Sequence, residues 1–321
     1  MNILIAGASG FIGTVLANHL SESHKITVLA RKLKKLQSIF SKDMSILTWD
    51  NLKLHDAKQY DLIINLSGSS IGNKRWDSKV KKELIESRTR TNQQLIEWLI
   101  NHHAKPRFFC ANAIGIYGAQ KLSTESFDEE SPLPQSSDDF LQHIGLIWEQ
   151  SLKSAIDAGI LVTTLRFGVV LKQGEGMLKK LELAFRLGLG SVLGSGKQTL
   201  SWIYYKDLIN AIDFLIEQQG VTGPVNITSP YPISQQEFSQ QLAKVLKRPL
   251  FLKTPELIIK VVFGEMGEYL LLKGQRVLPK RLNELGFKFT YPKIESVLVE
   301  EFHKTTSNKD KPEVPTGKNY Q

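Results

Sequence analysis

The chain opens MNILIAGASGFIGTVL, and Gly7, Gly10 and Gly13 stand three apart where an apolar run meets a helical pattern. This feature confines the fold more than any other in the sequence. A strand feeding a helix through so short a turn begins a βαβ unit. Gly7 permits the tight turn, Gly10 leaves room for a ligand close to the backbone, and Gly13 lets the helix lie against the strand. The free N–H groups and the dipole of the helix N-terminus favour a diphosphate.

The alternation continues along the chain. "KITVLAR", "SILTW", "DLIINLSG", "RFFCANAIG", "ILVTTLRFGVV" and "PVNITS" read as further strands. Helical patterns cover Phe11 to Ser21, "KLKKLQSIF", Asp77 to Asn101, residues 138–158 and "KDLINAIDFLIE". Strands alternating with helices predict an α/β fold, a doubly wound parallel sheet whose ligands lie beyond the carboxyl ends of the strands. After Gly188 the texture changes to a Gly- and Ser-rich stretch, and helices dominate from "ISQQEFSQQLAKVL" onward. The expected organisation is a dinucleotide-binding domain over 1–228, a smaller, mostly helical substrate-side lobe over 229–302, and a disordered tail over 303–321 with almost no apolar content.

Composition narrows the function classes. The longest apolar runs are far too short to span a bilayer, and the N-terminus lacks the basic region of a secretory signal, so no membrane partner and a cytoplasmic location are expected. The single cysteine, Cys110, excludes an internal disulfide and a cysteine-based zinc cluster, and no metal is expected. The formal charge of +9 comes from scattered basic residues with no nucleic-acid-binding motif, so nucleic acid is not an expected partner. The end of the second strand selects the dinucleotide. An NAD site places Asp or Glu there, whereas "TVLARKLKK" places Arg31, with Lys32 and Lys35 nearby, and these cations suit the additional phosphate of NADP(H).

"GASGFIG" resembles the fingerprint of the extended short-chain dehydrogenase/reductase superfamily. "NLSGSSIGNKRW", "ESRTRTNQQL", "AIGIYG", "WE", "LRFGVVL", "GSGKQTLSWIYYKDL" and "GPVNITSP" match, in order, its atypical epimerase-like branch of oxidoreductases of uncertain substrate. The resemblance runs from residue 1 to about 302 and implies a Rossmann-type fold with NADP(H) along the strand ends. By position it implies that Ser9, Gly10, Phe11 and Ile12 line the diphosphate, with Gly7 and Gly13 shaping the turn, and that Arg31 meets the adenosine phosphate. Leu66, Ser67 and Gly68 then lie beside the ribose, and Phe167, Gly168 and Val169 near the nicotinamide.

Typical members of that superfamily carry Tyr-x-x-x-Lys on the helix after the fifth strand and a hydroxyl at that strand's end. Lys lowers the Tyr pKa, Tyr relays a proton, and the hydroxyl orients the substrate oxygen. Aligned on Glu149, this chain has Leu141 and Gly145 at the Tyr and Lys positions, and Asn112 and Ala113 where the hydroxyl belongs. The literal strings Tyr117–Lys121 and Tyr269–Lys273 fall elsewhere and read as chance matches. Asn112, Tyr117 and His143 remain as catalytic candidates. Trp76, Tyr117 and Trp202 are candidate pocket walls. The glycine-rich stretch 188–201 is a candidate lid that brings Lys197 and Gln198 to a ligand, and Asp207 reads as a helix cap. Two functions follow: an NADP(H)-dependent oxidoreductase acting on an unidentified small molecule, or a non-catalytic NADP(H)-binding sensor. A homodimer is among the assemblies open to the chain.

Overall fold

The computed structural model describes residues 1–31, 39–40, 44–122 and 125–307. The seven strands expected from the sequence pair into one sheet: β1 (Asn2–Ala6), β2 (Lys25–Ala30), β3 (Ser45–Thr48), β4 (Leu62–Asn65), β5 (Arg107–Ala113), β6 (Val162–Phe167) and β7 (Gly223–Ile227). Their order across the sheet is β7-β6-β5-β4-β1-β2-β3, and every neighbouring pair is parallel. This is the Rossmann-like doubly wound α/β fold. Because both faces are covered, the strands are buried almost end to end, as Ile3 to Ala6 and Leu62 to Asn65 show. The order reverses between β1 and β4, which opens a crevice at the carboxyl ends of those two strands.

Eight helices of ten residues or more accompany the sheet among the described residues: α1 (Phe11–Leu20), α2 (Ser78–Asn101), α3 (Phe140–Gln150), α4 (Gly176–Arg186), α5 (Tyr205–Glu217), α6 (Gln235–Val245), α7 (Glu256–Gly267) and α8 (Ile294–Ser307). Several start where side-chain chemistry dictates. Asp77 accepts from Val80 N–H, Asp139 from Leu141 N–H, and Ser234 from Glu237 N–H, each satisfying an orphan donor of a first turn. Most of the helix expected over "KLKKLQSIF" lies outside the described residues.

Two large hydrophobic cores form. One lies around the sheet and takes in Leu282 and Phe287 from the C-terminal part. The second joins Leu171, Leu178, Phe185, Trp202 and Tyr204 to Phe238, Leu242, Val297 and Leu298. Residues on both sides of position 228 therefore build the helical part together. Asp207 is not the cap of α5. It sits in the first turn, wholly buried, and accepts from the backbone N–H groups of Thr290 and Tyr291, tying that segment to the helix. The expected tail begins inside α8, which continues to Ser307, and residues 308–321 lie outside the described residues.

The stretch 188–201 is not built as a lid. Residues 191–193 pair with 252–254, and 199–200 pair with 233–234. Gln236 N–H donates to Gly196 O and Gln235 N–H to Gln198 O. Opening it breaks all of these at once.

The glycine turn itself depends on a very close backbone contact. A Cβ on Gly13 would stand 2.5 Å from Gly7 O, and no side-chain rotation relieves that clash. Gly13→Ala is expected to destabilise the chain by about 1–3 kcal/mol, read as a lower urea midpoint with an unchanged slope. An unchanged midpoint contradicts the contact.

Candidate functional site: the crevice between β1 and β4

Gly7 adopts φ +80°, and a Cβ there would lie 2.7 Å from Leu66 C and Ser67 N. The glycine turn and the segment after β4 are thus packed backbone to backbone, which brings Gly7, Gly10 and Gly13 beside Leu66, Ser67 and Gly68. Gly10 is the N-cap of α1, offers no side-chain acceptor, and no acidic residue stands in the first turn. Thr14 N–H makes the first α-helical bond, to Gly10 O. The N–H groups of Phe11 and Ile12 precede it and so have no partner within the helix. Ser9 is half-buried and Gly10 exposed, so this positive helix end faces open space.

Arg31 is exposed at the end of β2, with no carboxylate paired to it among the described residues, and Lys32 and Lys35 lie outside them. At the far side of the crevice, a Cβ on Gly168 would come within 3.0 Å of Ser201 O. Phe167 is buried and Val169 partly so.

Two cations at the crevice escape sequence reasoning. Arg88 backs Gly68, whose Cβ would stand 3.3 Å from its Cζ. It is buried, donates from Nη1 to Leu84 O at 2.8 Å and from Nη2 to Ser69 O at 3.1 Å, and lies over the Trp148 ring. No carboxylate pairs with it among the described residues, and burial lowers its pKa to about 10, which still leaves it charged at neutral pH. A signal existed: Leu84, Arg88, Asn92, Leu95 and Leu99 share one helical stripe, so the position is buried by pattern. Lys172 sits over the Phe11 ring, 5.6 Å from its centroid, beside the α1 N-terminus.

The catalytic candidates do not converge on this crevice. Tyr117 is buried, donates its hydroxyl proton to Asn226 Oδ1 at 2.8 Å, and accepts from Arg166 Nη1 at 2.7 Å. Arg166 in turn forms a two-pronged pair with Glu149, through Nε at 2.7 Å and Nη2 at 2.8 Å. Burial pushes the Tyr117 phenol up to about 12, against the lowering effect of Arg166. The residue therefore links β6, β7 and α3 rather than entering the cleft. Asn112 is likewise consumed: its amide donates to Gly145 O and Glu149 Oε1, and its oxygen accepts from Ala113 N–H. His143 lies two residues from both Leu141 and Gly145, about 200° around the helix from each, so it points away from their face. Ala113 is exposed at the strand end.

Gly145 is not a vacant lysine position. A Cβ there would stand 2.9 Å from Ile116 Cα, so α3 has closed onto the turn at 114–117. Leu141 packs with Trp76, Phe140 and Met266 in an apolar cluster, where Trp76 stacks on Tyr269. The other expected pocket residues lie elsewhere. Trp202 is wholly inside the second core and donates Nε1–H to Tyr231 O. Gln198 is buried and donates to Leu193 O and Leu271 O, while Lys197 is exposed. The two literal Tyr-x-x-x-Lys strings are engaged apart from the crevice, Lys121 with Glu256 and Lys273 with Glu268.

With this geometry in view, the family follows from comparison. A model of the NAD dependent epimerase/dehydratase family matches residues 3–228. The chain belongs to that family. A domain of unknown function (DUF1731) matches residues 254–301. The chain is 33% identical over 303 residues to the epimerase family protein YfhF of Bacillus subtilis, covering 93% of this chain and 97% of that one. It is 32% identical to the human epimerase family protein SDR39U1, covering 94% and 99%. A crystal structure of human SDR39U1 (isoform 2) with NADPH superposes with a TM-score of 0.83 at 30% identity, covering 94% of this chain and 99% of that chain. A UDP-glucose 4-epimerase from Thermotoga maritima shares the fold, with a TM-score of 0.75 at 17% identity over 95% of this chain and all of that one.

The Tyr117 network generates a stability prediction with a definite sign. Between pH 10.0 and about 12 the folded chain holds the phenol proton more firmly than the unfolded chain, so stability falls as pH rises through that window. Tyr117→Phe is expected to cost about 1–3 kcal/mol at neutral pH by stranding Arg166 and Asn226, and to flatten that alkaline decline. Urea titrations across pH read both effects. A second variant, Gly145→Lys, is expected to lose stability and gain no catalysis, because its Cβ meets backbone before its ammonium reaches the crevice.

Proposed function

We propose that this chain binds NADP(H) across the β1/β4 crevice and acts as an epimerase-like oxidoreductase without the usual Ser/Tyr/Lys proton relay. The observation that carries the reading is the uncapped, unopposed N-terminus of α1 behind a glycine turn, with Arg31 where a carboxylate would select NAD. The fit is physical. Phe11 and Ile12 N–H groups donate to a diphosphate, Arg31 meets the adenosine phosphate, and Leu66, Ser67 and Gly68 border a ribose, with Arg88 and Lys172 adding positive potential from below and beside. Phe167, Gly168 and Val169 border the nicotinamide, and residues 229–302 supply the substrate side. The NADPH held by the human relative supports the same reading.

Bound nicotinamide supplies or accepts a hydride. The chain's own contribution is position and exclusion of water: Ala113 and Leu141 offer no proton, and the apolar cluster around Trp76 walls the approach. Absence of an acid–base group costs ~10²–10⁴ in rate, which a substrate-borne group or water can partly recover. The same observation favours a second reading, a non-catalytic module whose contacts respond to cofactor state. Hydride transfer to a panel of carbonyl compounds, followed by NADPH absorbance, separates the two: turnover of any of them supports the enzyme, and binding without turnover supports the module.

Fluorescence titration is expected to show NADPH binding more tightly than NADH. Arg31→Asp is expected to weaken NADPH by about 10–100-fold while leaving NADH nearly unchanged. Equal affinities in the unsubstituted protein would contradict the assignment of Arg31. Lys121→Ala and Lys273→Ala are expected to leave NADPH affinity within about twofold, since Lys121 pairs with Glu256 and Lys273 with Glu268 and the Tyr269 ring rather than with the glycine turn. Loss of binding in either would move the cofactor elsewhere.

A further inference from the structure

Away from the crevice, one face of the helical part exposes large apolar side chains in a density that solvent does not explain. Leu183 on α4 and Leu187 at its C-cap are one turn apart and 64% and 66% exposed. Leu189 follows, and the strand at 191–193 pairs in parallel with 252–254, which sets Phe251, 86% exposed, alongside. The chain then enters α7, where Leu257 and Val261 stand one turn apart, 72% and 65% exposed. The two helices flank one loop: Lys180 donates to Gly72 O and Arg75 to Val261 O. The exposed residues therefore form a continuous ridge rather than scattered points.

Several exposed cations edge the ridge. Lys179, Lys247, Arg248 and Lys253 are exposed and carry no carboxylate partner among the described residues. The nearby acids are already engaged: Glu182 with Arg186, Glu256 with Lys121, Glu265 with Lys81 and Glu268 with Lys273. A second copy docking on this face by a two-fold axis would bring these unpaired cations against one another. An apolar ridge edged by unpaired cations complements a surface that is anionic outside and apolar beneath. We propose that this face rests on an anionic phospholipid membrane, as a peripheral contact. No helix among the described residues is long and apolar enough to cross a membrane. The inference revises the sequence-based expectation of no membrane partner.

Co-sedimentation of the full chain with phosphatidylcholine vesicles, with and without phosphatidylserine, tests it. Binding is expected only when phosphatidylserine is present, and is expected to weaken as salt rises. The triple variant Lys247→Glu, Arg248→Glu, Lys253→Glu is expected to lower partitioning by about 100-fold. Phe251→Ser with Leu257→Ser is expected to lower it by at least about tenfold. All five positions are exposed, and an unchanged NADPH titration checks that the variants fold. Binding to neither vesicle, or equally to both, overturns the proposal. So does self-association in sedimentation velocity that the Phe251→Ser, Leu257→Ser variant abolishes, because the occupant is then a second copy.

Discussion

The architecture depends on a contact in which no side chain takes part. Gly13 rests its Cα against the carbonyl of Gly7, and Gly7 rests its own against Leu66 and Ser67. These two approaches bring α1 down onto β1 and β1 against the segment after β4. They thereby place an uncapped helix end at the point where the strand order reverses. Any Cβ at either position separates the elements, and the crevice loses its floor. The glycines are therefore structural first. Their consequence is electrostatic: a helix end whose Phe11 and Ile12 N–H groups have no acceptor within the helix.

A second constraint explains why Tyr117 and Asn112 do not face the crevice. Glu149, Arg166, Tyr117 and Asn226 form one buried chain of charge-assisted hydrogen bonds from α3 through β6 to β7. Glu149 compensates the buried Arg166 charge, and truncating that carboxylate leaves the charge uncompensated. Tyr117 and Asn112 are spent on this network, so neither is free to act on a ligand. Gly145 lets α3 close on the 114–117 turn and makes the network short, and this closeness leaves no room for a lysine. The polar residues that looked catalytic are the ones holding the wall upright.

The strands, their parallel order and the glycine turn were legible because each has a local signature: apolar runs, turn residues, and glycines at fixed spacing. Asp77 at the head of α2 was legible for the same reason. The misplaced residues share a different property. Trp202, Gln198 and Asp207 were read from their neighbours in sequence, as pocket, lid and cap, but their roles come from distant partners at Tyr231, Leu271 and Thr290–Tyr291. Glycine richness in 188–201 suggested mobility, but cross-strand pairing with 233–234 and 252–254 overrides it. Arg88 was missed because its meaning lies in burial, visible only when its stripe with Leu84 and Leu95 is counted.

The central claim is that NADP(H) lies across the β1/β4 crevice with only apolar side chains facing the reactive carbon of its nicotinamide. A crystal structure of this chain grown with NADPH tests it most directly. The account predicts the diphosphate over the N–H groups of Phe11 and Ile12, the adenosine phosphate on Arg31, and Ala113 and Leu141 nearest the reactive carbon. An ionisable side chain within hydrogen-bond reach of a carbonyl placed over that carbon, or density for the dinucleotide at any other site, would contradict it.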